Sequence, residues 1–432
     1  MIELIIIALL GIAVGMFAGL LPVLPVFTGP LILYYFVHDY YAVECLLVFW
    51  LASYSGTQFF GSIATITTKI PGEESSAIYL KDIDALTTEQ KRNLLYDTAL
   101  GSWLAGTLSL IFVWLVVKYV GVAQFPELLS MPVQIVFYSL AILLFFFIGN
   151  NWLATALLIA LGLIIGPRQN YALPQTWYDI QQMFNGYTLY MVVLGTILFP
   201  SVFEKVQQVK ATERFGTLRS PGYGLWAGIK SSIIGAVAGL IPGPSASIAT
   251  AFAYKTGGTS AYKRILNAET ANNSAVITCA IPFFLLGLPI NQNTLLMSNI
   301  MDVQSLNIVQ AILEPGMFGM PVIDLVMLVS LIVLVVYFWL STHLIDLYAG
   351  LVQRLHHRMR WVVLLLLTAM VGFDLQYAEI SAAHYFTLLT GFTAFGFLLK
   401  RIGVSAIPFL FALILADKII WLGIQAFTIY FK

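Results

Sequence analysis

Two polar runs interrupt an apolar chain, and their side chains are of the kinds that grip a small anion away from water. The first, Ser53 to Ser76, reads SYSGTQFFGSIATITTKIPGEESS. In it Tyr54, Ser55, Gly56 and Thr57 lead toward Lys69 and then Pro71, Gly72 and Glu73, with Glu74, Ser75 and Ser76 beyond. Pro71 and Gly72 should stop one helix near mid-membrane, and the hydroxyls after them can cap the helix that returns. Free N–H groups at such a helix start favour an anion, while free carbonyls at the preceding helix end favour a cation.

The second run, Ala268 to Asn293, reads AETANNSAVITCAIPFFLLGLPINQN. Glu269, Thr270, Asn272, Asn273 and Ser274 precede Gly287-Leu288-Pro289, and Asn291, Gln292 and Asn293 follow. Amides in an apolar medium need hydrogen-bond partners. A solute carboxylate or hydroxyl is one such partner, and the opposite run is another. Between the runs, Pro242-Gly243-Pro244-Ser245-Ala246-Ser247 reads as an unwound turn followed by a helix capped by Ser245 or Ser247. The candidate solute contacts are therefore Ser55, Gly56, Thr57, Pro71, Gly72, Glu73, Ser75, Gly243, Ser245, Ser247, Asn272, Asn273, Pro289 and Asn291. A coupling Na+ would take neutral oxygens and carbonyls around Tyr54, Ser55, Gly56, Asn272, Asn273 and Ser274.

The elements that position these groups are written twice. Gly15-x-x-x-Gly19-Leu20-x-Pro22 returns as Gly235-x-x-x-Gly239-Leu240-x-Pro242. Apolar stretches near 93–117, 132–148, 152–166 and 186–204 return near 321–341, 361–373, 381–399 and 403–416. Duplicated halves with Gly/Pro-broken segments at matching places are a transporter's signature. Apolar residues make up 59% of the 432, and charged residues 10%, against about a quarter charged in a soluble protein. The prediction is an all-α polytopic membrane protein of roughly 10–12 spans. Net charge is zero, which leaves no electrostatic footprint for nucleic acid. The cysteines, Cys45 and Cys279, read as buried hydrophobes.

Lys and Arg placement sets the sides. Residues 205–220 carry Lys205, Lys210, Arg214 and Arg219, so they are expected in the cytoplasm together with Lys81, Lys91 and Arg92. Segment 298–320, the counterpart of that second region, has no Lys or Arg and is expected outside. Segment 38–44 also lacks them, whereas its counterpart holds Lys255, Lys263 and Arg264. Opposite bias in matched segments predicts two inverted repeats, 1–204 and 221–420, joined by the 205–220 linker and followed by a tail, 421–432. Each would contain a discontinuous helix and a re-entrant hairpin, at about 46–80 and 266–302. The first apolar stretch has only Glu3 as an early charge. It reads as an uncleaved span with the N-terminus in the periplasm. Asp374 and Glu379 read as marking an outer loop.

No enzyme signature such as HExxH or a Walker A loop is present, so uphill movement would draw on an ion gradient. At Tyr54, Gly56, Gly61, Ser62, Pro71, Gly72 and Glu73, at Pro242, Gly243 and Ser245, at Glu269, Ala271, Asn272, Asn273, Ser274 and Ala275, and at Gly287 and Pro289, the chain resembles the large membrane subunit of the tripartite tricarboxylate transporters, the TctA-like family. The resemblance implies uptake of a di- or tricarboxylate driven by Na+ or H+ across a bacterial inner membrane. It also implies a periplasmic substrate-binding protein and a small four-helix membrane subunit as partners. A second copy of the chain is a further candidate partner. A passive channel for small organic anions, or a stand-alone carrier for another solute, are the alternatives.

Overall fold

The computed structural model describes residues 2–20, 42–68, 74–120, 130–148, 151–167, 173–202, 222–241, 245–287, 290–301, 308–345, 347–348 and 359–431. They are helical almost throughout, and the one bridge of strand type pairs Pro315 with Pro321. The first half forms α1 (Ile2–Leu20), α2 (Val43–Thr68), α3 (Thr88–Leu115), α4 (Met131–Ile148), α5 (Trp152–Ile165) and α6 (Leu189–Val193). A π turn, Leu194–Leu198, extends α6 into Phe199–Val202. The second half forms α7 (Tyr223–Gly239), α8 (Ser245–Lys255), α9 (Ala261–Thr278), α10 (Ala280–Leu286), α11 (Gln292–Ile300), α12 (Val322–His343), α13 (Met359–Tyr377), α14 (Ala382–Arg401), α15 (Ile407–Ile414) and α16 (Ala416–Phe431).

Local chemistry explains several boundaries. Thr87 and Gln90 form a reciprocal capping box at the start of α3, and Asn151, Thr188 and Ser381 accept from the first-turn N–H groups of α5, α6 and α14. Gly287 ends α10 at φ 61°, a left-handed conformation that glycine adopts without steric cost. Among the described residues, Ile2–Leu20, Thr88–Val120, Val322–His343 and Ala382–Arg401 are long and apolar enough to cross a membrane. Exposed Ile2, Ile5 and Leu9 on α1, and Trp226, Ile233 and Val237 on α7, give these helices an outward apolar face suited to lipid. The protein is a multi-pass, all-helical membrane protein.

The chain divides into two compact units, Met1–Ala123 with Lys205–Trp361, and Gln124–Glu204 with Val362–Lys432. In the first unit α1 packs along α2, and α7 packs along α9. Glycines permit both contacts. A Cβ on Gly15 would fall 2.7 Å from the Ser53 carbonyl oxygen and 2.9 Å from Gly56 Cα, and one on Gly19 would fall 2.6 Å from the Thr57 carbonyl. Gly235 and Gly239 meet Ser274 and Thr278 in the same manner. Such close backbone approach is how helices gain dispersion energy where lipid offers no hydrophobic drive.

Partners then cross between the halves. By position α3 corresponds to α12, yet α3 packs on α7 and α9 whereas α12 packs on α2. The corresponding helices α3 and α12 also touch each other, running antiparallel. Trp114 and Lys118 meet Asp324, Gly106 meets Leu334, and Tyr96 and Trp103 meet Phe338. Charged contacts lie near helix ends. Arg264 binds Asp82 at 2.7 Å and Lys118 binds Asp324 at 2.9 Å. The Glu44 carboxylate accepts from the Met317 N–H at 2.9 Å.

The second unit repeats the crossing. There α5 lies on α15, and α6 with its π turn lies on α14. Asp374 departs from the sequence expectation of an outer loop. It is fully buried within α13, where Thr188 and Tyr385 both donate to its Oδ2 at 2.7 Å. Burial of a carboxylate demands such donors. The stretch expected as one span over 403–416 is also shorter, because the chain bends by 71° between α15 and α16.

Candidate functional site

The candidate site is a polar seam between α2 and α9. Both helices carry unusually many buried polar side chains: Ser53, Ser55, Thr57, Gln58, Ser62 and Thr65 on α2, and Glu269, Thr270, Asn272, Asn273, Ser274 and Thr278 on α9. The helices run antiparallel along it. Gln58 meets Asn272, and one turn away the Ser62 hydroxyl stands beside the Glu269 carboxyl.

At the centre Asn272 Nδ2 donates to Gln58 Oε1 at 2.7 Å and to Ser75 Oγ at 3.4 Å. Ser75 lies on the 3-10 turn Glu74–Tyr79 at the end of the first polar run, so three separate segments converge on one amide. The Gln58 amide is thereby held by its oxygen end. Its Nε2 group is buried without a hydrogen-bond partner. Oδ1 of Asn273, Oδ1 of Asn293 and Oγ of Ser245 are buried without one too. Each such orphan costs about 1–3 kcal/mol unless something binds it, so the packing leaves specific hydrogen-bonding capacity unspent.

Many hydroxyls are already committed. Thr57 Oγ1 donates to Ser53 O at 2.8 Å and Ser62 Oγ to Gln58 O at 3.0 Å, both back-bonds within α2. Gly56 is covered by the Tyr337 ring, whose hydroxyl donates to Ala52 O at 2.7 Å. Tyr54 is buried against Trp50 with ring centroids 6.4 Å apart.

The candidate set separates into groups. Asn272 and Ser75 come together, with Gln58 between the two halves. Asn273 and Ser274 turn away toward α3 and α7. Asn273 Nδ2 donates to Ser102 Oγ at 3.0 Å, and Ser274 Oγ donates to Ser232 O at 3.1 Å while lying 2.6 Å from Ser109 Oγ. The oxygens at Ser55–Gly56 and at Ser274 thus face different neighbours. Asn291 caps α11, its Oδ1 accepting from Thr294 N at 2.9 Å, and it lies with Tyr54 beside the Cys279 thiol. Ser245 begins α8 with a buried hydroxyl, and Ser247 is half-buried. Pro71, Gly72, Glu73, Gly243 and Pro289 lie outside the described residues, as does Lys69.

Gln58, Ser62, Ser102 and Glu269 were not among the sequence-derived candidates. Gln58, Ser62 and Glu269 sit inside the two polar runs, and only the antiparallel register of α2 and α9 picks them out. Ser102 came with no motif and is found through α3.

The class so defined is a multi-pass helical membrane protein with a buried seam of hydrogen-bonding side chains. The model of the tripartite tricarboxylate transporter TctA family matches residues 5–411, so the chain belongs to that family. It is also similar, at 24% identity over 262 residues, to a protein of Agrobacterium vitis described as an uncharacterised 52.8 kDa protein in the TAR-I ttuC' 3' region. That match covers 55% of this chain and spans about half, 51%, of the relative. No solved structure matches.

Proposed function

We propose that the chain is the large membrane subunit of a carboxylate uptake system, an ion-coupled secondary transporter working by alternating access. The observation that carries this reading is the Gln58 amide. Asn272 fixes its oxygen end, and its buried N–H donors stand unpartnered, as a receptor for a solute carboxylate requires. The solute would be held there by Ser75 and Asn272, with Ser55, Gly56, Thr57, Asn273 and Asn291 proposed to border its path. Pro71, Gly72, Glu73, Gly243, Ser245, Ser247 and Pro289 would complete its surroundings. A coupling Na+, where one is used, would take either the oxygens of Tyr54, Ser55 and Gly56 or those of Asn272, Asn273 and Ser274.

Inverted repeats over 1–204 and 221–420, each with a re-entrant hairpin, are part of the proposal. Two observations support them: α3 and α12 run antiparallel, and so do α2 and α9. Corresponding helices of inverted halves must cross a bilayer in opposite senses. The proposed setting is the bacterial inner membrane with the N-terminus in the periplasm. The proposed partners are a periplasmic substrate-binding protein and a small four-helix subunit.

The test is uptake of radiolabelled citrate by cells expressing wild type or Asn273→Ala at equal membrane levels. The variant should lower uptake at least ~10-fold, a loss of about 1.4 kcal/mol. Wild-type uptake by the variant would remove Asn273 from the site.

A further inference from the structure

We infer that Glu269 carries the coupling proton, as a neutral carboxylic acid in this packing and as a carboxylate once its proton leaves toward the opposite face. The inference rests on the transporter reading above and adds the identity of the coupling ion.

Glu269 is 4% exposed on α9, with the Ser62 hydroxyl of α2 beside its carboxyl. Most acids and bases on the elements packed around it are engaged elsewhere or turned outward, and Lys91 and Arg92 lie half-buried in the first two turns of α3. From α3, Asp97 accepts from the Tyr262 hydroxyl at 2.7 Å and Arg92 pairs with Glu89. From the 80–84 helix, Asp82 is held by Arg264 and Tyr254, while Lys81 is exposed. From α7, Lys230 donates to the Thr256 carbonyl; from α8, Lys255 is exposed; from the far end of α2, Glu44 binds Met317 N. On α9 itself Lys263 lies over the Tyr223 ring.

No described cation therefore reaches Glu269. This separates it from Asp82 and Asp324, each of which has an ion-pair partner. Among the described residues nothing supplies a counter-charge, and an ionised carboxylate so buried is far costlier than the protonated acid, which is the ground for assigning the acid form to this packing. Glu269 and Asn272 are three residues apart, hence on one face of α9. A bound solute carboxylate at Gln58 and Asn272 and an ionised Glu269 would repel each other in a poorly screened setting. Proton binding at Glu269 thus favours anion binding, and departure of the proton favours release. The balance is one proton taken from the outer solution and the same proton given to the inner one, with no other bond formed or broken.

A buried glutamate that only fills space and accepts a hydrogen bond would be replaced by glutamine without consequence. The experiment compares full-length purified wild type, Glu269→Gln and Glu269→Asp by infrared spectroscopy across acid to alkaline pH. Wild type should show the carbonyl stretch of a protonated carboxyl at neutral pH that fades on alkalinisation. The band should be missing in Glu269→Gln, and its titration should shift in Glu269→Asp, which reads the same group if the glutamine variant misfolds. Absence of the band in wild type, or an unchanged band in both variants, overturns the inference. In a second arm, membrane vesicles from cells that express the chain natively are given radiolabelled citrate and an imposed inward proton gradient. Wild-type uptake should accelerate several-fold, and uptake by Glu269→Gln should ignore the gradient; an equal response overturns the inference. Lack of citrate uptake by every form would count against the solute reading, while the infrared arm still decides whether Glu269 holds the proton.

Discussion

Gln58 and Asn272, 214 residues apart in sequence, are joined by a hydrogen bond of 2.7 Å between their side-chain amides. The bond ties α2 to α9 and orients the Gln58 N–H donors, and its two ends can be separated by mutation.

Gln58→Glu keeps an oxygen for Asn272 and replaces the orphan donors by a negative charge. Gln58→Leu removes both ends and takes from Asn272 Nδ2 the shorter of its bonds to Gln58 and Ser75. The leucine variant should lose about 1–3 kcal/mol of stability, read as a lower thermal-shift midpoint in detergent. The glutamate variant should keep more of that stability, yet carry citrate at least as poorly, because like charge repels an anion. Wild-type uptake by Gln58→Glu would show that the donor end binds no carboxylate.

The glycine contacts predict a sharp positional contrast. Gly15→Val and Gly19→Val drive side chains into the α2 backbone, at 2.7 Å from Ser53 O and 2.6 Å from Thr57 O. Overpacking of this kind costs about 1–3 kcal/mol or more, and monodisperse protein on fluorescence-detected size exclusion should fall sharply. A Cβ on Gly372 of α13 meets nothing within 4 Å, so Gly372→Ala should elute as wild type.

Much of this architecture was legible in the sequence, and for physical reasons. Low charge and long apolar stretches dictate helices in a bilayer, and the repeated Gly-x-x-x-Gly marks the duplicated halves, while the close helix approach at those glycines is seen only in the structure. Charge bias predicts one membrane side for Lys81 and Arg264, and Arg264 binds Asp82, the residue after Lys81. What the sequence left open was register. Asn272 and Asn273 are adjacent letters of equal chemistry, but 100° of helical rotation sends one to Gln58 and the other to Ser102. Asp374 was misplaced because an acid near a helix end resembles a loop residue until Thr188 and Tyr385 are seen to donate to it.

The Asp82–Arg264 pair is largely shielded, with side-chain exposures of 15% and 25%. It links the 80–84 helix to the start of α9, and Tyr254 of α8 adds a third contact at 3.0 Å. A double-mutant cycle of Asp82→Ala and Arg264→Ala should return a coupling energy of about 0.5–3 kcal/mol. Strict additivity of the two melting shifts would show the pair to be energetically idle.

Both thiols, Cys45 and Cys279, are fully buried. Such cysteines are unreactive. A membrane-permeant maleimide should label neither in native membranes and both after denaturation in detergent. Prompt native labelling of Cys279 would indicate solvent reaching Tyr54 and Asn291.

The exchange of partners between halves sets a schedule for biogenesis. While α3 leaves the ribosome, the glycines and hydroxyls it presents at Gly101, Ser102 and Ser109 have no mates, since Thr270, Asn273 and Ser274 have yet to be translated. Nascent α3 must wait in the bilayer with that stripe unmet until more than half of the protein exists. Truncations made anywhere before α9 should therefore be cleared by quality-control proteases and not accumulate as a stable half-protein.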